Sequence, residues 1–280
     1  MTGKRAWALG LVVAMTLCSA PEAAAWPVEL MQALSRDARK LLPKSLAALM
    51  AERETEIFQA AMMFPPETSR ALALDLSTGQ LTPETIAVLD MRAKETTALF
   101  REKQVSEAIV KLGSLVRVPA DLSDPVLSVG PHGYPVGVTR EYYAFVNAHI
   151  GEIPVVLDNA SALKMDRRRL PAYWQATLQR TRLDSPVIRT TLFANGRLIS
   201  HRALDYRSPV FGVASLAYSR AVTAIAATWL AVWREVRGDL TRQPSPSPVV
   251  PTDAPPLPAA ERVPPPPSPA PPLRAAGAQQ

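Results

Sequence analysis

Three histidines, a few carboxylates and a run of arginines are the side chains of this 280-residue chain that could do chemistry. His132, His149 and His201 lie far apart and in different kinds of segment. No two of them share a helix face at the spacing that holds a metal. The one cysteine, Cys18, falls in the N-terminal segment, which leaves 26–280 without disulfides or cysteinyl metal sites. Neither a Gly-x-Ser-x-Gly elbow nor a phosphate-cradling Gly-rich loop is present. Arg167-Arg168-Arg169 is the densest part of a net charge of +6 and reads as solvated helix surface, with phosphate or lipid-headgroup contact as the sharper alternative.

The most informative stretch is Leu112-Gly113-Ser114-Leu115-Val116-Arg117-Val118-Pro119-Ala120-Asp121-Leu122-Ser123-Asp124-Pro125. It reads as the end of a buried helix. Leu112, Leu115, Val116 and Val118 form an apolar face, Gly113 permits close helix approach, and Pro119 and Pro125 mark a kink and a stop. A carboxylate beside such a face is costly unless it is paired, hydrogen-bonded or bound to a cation. Arg117, one turn before Asp121, is the economical partner.

The elements that must position this stretch follow from periodicity. Residues 1–25 combine Lys4 and Arg5, an apolar run from Ala6 to Leu17, and Ala23-Ala24-Ala25. That pattern is a secretory signal peptide, cleaved to leave Trp26 first and no transmembrane span, and it places the protein in the periplasm or outside the cell. Leu17 before Cys18 is too bulky for a usual lipobox. The segment 243–280 is rich in Pro, Ala and Ser and reads as an extended, disordered tail. Between them, 26–242 forms one all-α domain.

Its helices are expected over Val28–Leu42, Ser45–Met63, Glu67–Leu76, Thr82–Lys103, Ser106–Ala120, Thr139–Ile150, Arg167–Arg182, Ser185–Leu204 and Ser208–Arg237. Ser45 and Thr139 are read as caps, and Gly238 as the stop of the last and most apolar helix. His149, near a helix C-terminus, has a sufficient structural reason in the helix dipole.

The Leu112–Pro125 stretch resembles the Leu-Gly…His-x-x-x-Asp…Pro helix of the bacterial zinc-dependent phospholipase C superfamily, which also contains single-strand-specific zinc nucleases. Further similar features are Trp26, Ala38…Leu41-Leu42-Pro43, Ala60-Ala61…Pro65-Pro66, Tyr143-x-Phe145-Val146-Asn147 before Ile153-Pro154, and Phe211-Gly212-Val213-Ala214. The resemblance implies a multi-helix phospholipase C-like bundle with long loops. It also implies three zinc ions held by the N-terminal Trp, several His and two or three carboxylates. By eye, the family's ligand positions fall on Trp26, Met31, Pro66, Arg117, Asp121, Thr139 and Tyr143. Thioether, proline and guanidinium cannot replace imidazole or carboxylate on zinc, and Arg117 would repel the ion. Only Trp26 and Asp121 remain as ligands, and His132 stands in the loop where the family has another metal His.

The expectation is therefore a pseudoenzyme of the cell envelope: an exported phospholipase C-like domain with a dismantled zinc site and no cofactor, which binds or scaffolds. A phospholipid headgroup or an envelope protein is the expected partner, and no specific nucleic-acid recognition is expected. Two alternatives accompany it. One is a zinc-dependent phosphodiesterase, phospholipase C or nuclease, with a reduced site of Trp26, Asp121 and His132; the other is an envelope protein tethered by an uncleaved 1–25 and spaced by the tail.

Overall fold

A computed structural model describes residues 26–63, 79–129 and 133–240. The domain is all-α. The expected signal segment 1–25, the tail 243–280, the helix Glu67–Leu76, Pro66 and His132 lie outside the described residues.

Helix α1 (Val28–Arg39) turns Leu30, Met31, Leu34 and Ala38 inward, with Glu29 in its first turn and Arg36 and Arg39 in its last. Those charges complement the helix dipole. The helix expected over Ser45–Met63 is two, α2 (Lys44–Ala51) and α3 (Glu54–Met62). The chain leaves helical geometry at Arg53, with φ −124° and ψ 26°, so that Leu46 and Met50 on one piece and Ile57 and Ala61 on the other all face the core. Ser45 is not a cap: Pro43 holds that position, and the Ser45 hydroxyl donates to Asp239 O at 3.4 Å.

Helix α4 (Pro83–Arg101) starts as expected, with the Thr82 hydroxyl accepting from Thr85 N–H and Pro83 in the first turn. Lys103 ends it in a left-handed conformation, φ 63°, which lets Gln104 N–H reach back to Leu99 O at 2.9 Å. Next come α5 (Val105–Leu112), a 3₁₀ turn (Gly113–Leu115) and α6 (Arg117–Leu122). The kink expected at Pro119 is a full change of helix type a turn earlier. Pro119 offers no N–H to Leu115 O and its ring crowds that carbonyl, and the tightened turn at 113–115 takes up the misfit. Gly113 is required there, because a Cβ would lie 2.1 Å from Ile57 O on α3.

Helix α7 (Val138–His149) begins after Gly137, whose φ of 88° makes the entry turn; Thr139 therefore sits inside the first turn instead of capping it. A connector with two short 3₁₀ turns, 162–164 and 167–169, leads to α8 (Leu170–Leu192). The two helices expected over 167–182 and 185–204 are thus mostly one. Pro186 cannot donate to Arg182 O, and the Ser185 hydroxyl does so instead at 2.8 Å, which keeps the helix intact across the proline. It stops at a two-residue hairpin, β1 (Phe193–Ala194) with β2 (Arg197–Leu198), turned by Asn195 (φ 52°) and Gly196 (φ 72°).

Helix α9 (Pro209–Glu235) is the central element, packed by α1, α6, α8 and the connector. Its length and composition would suit a membrane crossing, but 78% of its most apolar window is buried inside the fold. Alanines 217, 221, 224, 226 and 227 let neighbouring backbones approach it. The left-handed residue at its end is Arg237 (φ 57°), and not Gly238, which lies against the Trp233 ring and donates its N–H to Trp233 O at 2.9 Å.

Candidate functional site: a buried ion pair and its carboxyl neighbour

The six residues of α6, with Pro119 inside its first turn and Pro125 just beyond its end, carry both Arg117 and Asp121 into the core. Arg117 Nε donates to Asp121 Oδ2 at 3.0 Å, and the two side chains are 1% and 3% exposed. The i,i+4 spacing explains the pairing; burial explains why it has to be made. Arg117 Nη2 has no hydrogen-bond acceptor among the described residues.

One turn on, Asp124 is fully buried. Its Oδ1 accepts from Val126 N–H at 2.9 Å, the Asx turn that an Asp-Pro pair favours. Its Oδ2 accepts from the Tyr143 hydroxyl at 2.6 Å. Burial pushes the Asp124 carboxyl up to about 7, against the hydrogen bonds from Tyr143 and Val126 that hold it down, and the charge of Asp121 adds to the rise. Burial raises the Tyr143 phenol well above its ordinary range, and the Asp124 charge raises it further. The guanidinium of Arg117 pairs with Asp121, and the neighbouring Asp124, buried without a cation of its own among these contacts, keeps its proton toward neutral pH.

Two indoles close the neighbourhood. Trp26 Nε1 donates to Ala120 O at 2.9 Å, and its ring lies 6.4 Å from that of Tyr143. Trp229 Nε1 donates to Leu112 O at 2.9 Å. That carbonyl is free for an indole because Val116 N–H turns to Gly113 O in the 3₁₀ step.

The structure therefore brings Trp26, Arg117, Asp121 and Tyr143 together. Met31 is buried on α1, which packs against α6. Thr139 lies one turn before Tyr143 and is half-buried, and among the described residues no hydrogen bond ties it to the group. Trp26, Met31, Arg117, Asp121, Asp124 and Tyr143 are each at most 6% exposed, so among the described residues the group is a closed island.

His149 and His201 stand elsewhere, each against a carboxylate. His149 Nδ1 is 2.9 Å from Glu152 Oε2, and His201 Nδ1 is 2.7 Å from Glu141 Oε2, which also accepts His201 N–H. The backbone N–H of His201, and then its ring, hold the Glu141 carboxyl below its usual range. Among the described residues no three His, Cys, Asp or Glu side chains converge as a metal site would require.

Sequence reasoning missed Asp124 and its bond to Tyr143. The Asp-Pro turn signal was present, but nothing in a single chain announces a partner nineteen positions away. No protein-family model, no curated protein and no solved structure matches this chain.

Proposed function

We propose that this chain is an exported, non-catalytic binding or scaffold protein of the cell envelope, built on a phospholipase C-like bundle whose zinc site has been replaced by packing and an ion pair. The observation that carries the reading is the Arg117–Asp121 contact of 3.0 Å with both side chains almost wholly buried. A permanent cation sits at the position where the resemblance expects a ligating His, and it takes up the carboxylate that would otherwise face a metal. A desolvated pair of this kind leaves a dication neither charge nor access.

The test is equilibrium dialysis of the full chain against zinc, followed by elemental analysis. Less than one zinc ion per chain is expected. Two or three per chain would overturn the reading in favour of a metal-dependent phosphodiesterase using Trp26, Asp121 and His132, and turnover of phosphatidylcholine or single-stranded DNA that vanishes in Asp121→Asn would establish that activity. N-terminal sequencing of the protein recovered from cells addresses export: a chain beginning at Trp26 is expected, and one retaining 1–25 would make it a tethered protein.

A further inference from the structure

Away from the buried island, another place in the fold offers room for a ligand. Between α4, the start of α8 and α9 lies a cavity of about 100 Å³. Its walls are mainly apolar, with Ile86, Leu89, Ala93, Leu170 and Trp174 among them. None of its lining residues belongs to the Arg117 group. Three charged side chains, Asp90, Arg167 and Arg168, also line it.

These charges are not equivalent. Arg167 is engaged twice, by Asp90 and by Glu235 Oε2 at 2.8 Å. Lys94 holds the other oxygen of Asp90 at 2.8 Å, and Arg101 lies 3.7 Å from Glu235 Oε1. Arg168 is the one exposed residue of the lining, and no carboxylate pairs with it among the described residues. Lys94, Arg101, Arg167 and Arg168 outnumber the carboxylates Asp90 and Glu235, so this rim carries excess positive charge.

A concave, mainly apolar wall with a few polar groups at its edge is the usual make-up of a small-ligand site. Its size limits the occupant, because an apolar cavity of about 150 Å³ is what a benzene ring fills. We propose that the cavity binds a small amphiphilic monoanion, a short unbranched alkyl group carrying a single carboxylate. The alkyl group displaces solvent from the wall formed by Leu89, Ala93 and Trp174, and the carboxylate takes a charge-assisted hydrogen bond from Arg168 at the rim. This goes beyond the proposed function, and it stands or falls separately from the zinc result.

The experiment is ligand-detected NMR titration of the full chain with butanoate, with 1-butanol as the uncharged probe and decanoate as the overlong one. Saturable butanoate binding in the millimolar range is expected, with 1-butanol at least about fivefold weaker and decanoate no better than butanoate. Arg168→Gln should weaken butanoate about fivefold and leave 1-butanol unchanged. Ala93→Leu, which fills the cavity, should abolish both while the protein melts cooperatively; if that variant does not fold, Arg168→Gln alone decides. Absence of saturable butanoate binding, equal binding to Arg168→Gln, or undiminished binding to a folded Ala93→Leu would overturn the proposal. Decanoate binding more tightly than butanoate would also overturn it, since it would point to an extended lipid chain on an open surface.

Discussion

Arg117 and Arg167 both hold carboxylates, but Arg117 does so with its side chain 1% exposed and Arg167 with 22%. The buried pair is local, four residues apart on one short helix. The other is long-range, with Arg167 reaching Asp90 on α4 and Glu235 on α9 across 77 and 68 positions. The contrast separates two uses of one interaction. In the core the pair cannot be relinquished by either partner, because each would be left as a bare charge in apolar surroundings. At the rim the arginine can exchange partners with water at little loss.

Breaking the buried side should give the largest effect. Asp121→Ala should cost about 3–5 kcal/mol in urea unfolding. Replacing both partners by apolar residues, Arg117→Met with Asp121→Leu, should restore most of that loss. If the double variant is as unstable as the single one, the pair contributes net attraction and is not merely a mutual neutralisation.

The next largest effect concerns the carboxyl beside the pair. The folded value of Asp124, about 7, lies above its ordinary 3.8, so the folded protein binds the proton more tightly than the unfolded chain does. The stabilisation is complete below the ordinary value and is lost as pH rises through the folded value. Stability should therefore fall between about pH 5 and pH 7, above the range where ordinary carboxyls titrate. In Asp124→Asn that slope should flatten, as followed by denaturation across the window. Tyr143→Phe removes the donor to Asp124 Oδ2 and should cost about 1–3 kcal/mol. The smallest effect belongs to the rim, where Asp90→Asn should change unfolding free energy by less than about 1 kcal/mol and lose even that in high salt. A cost comparable to that of Asp121→Ala would erase the distinction between the two sites.

How far each feature could be read from the chain follows the range of its cause. The Arg117–Asp121 pair and the close approach at Gly113 depend on neighbours one turn away or on the lack of a side chain, and both were legible. The break expected between Arg182 and Ser185 does not occur because the repair at Pro186, the Ser185 hydroxyl on Arg182 O, takes a rotamer choice that composition does not display. The Asn195-Gly196 turn was overlooked although its dipeptide is a strong hairpin signal, since the apolar period on either side still fitted a helix. Asp124 lay beyond reach for a different reason: its state is set by how completely the fold covers it, a property of the assembled core.

The two indole hydrogen bonds have a consequence for how the molecule comes into being. Ala120 O is held from residue 26 and Leu112 O from residue 229, across 94 and 117 positions, so the midsection is stitched to both extremities. Synthesis must pass Trp229 before the first half can settle, and the nascent chain stays available to chaperones until then. Shortening the domain from either side should dismantle it as a unit instead of trimming it.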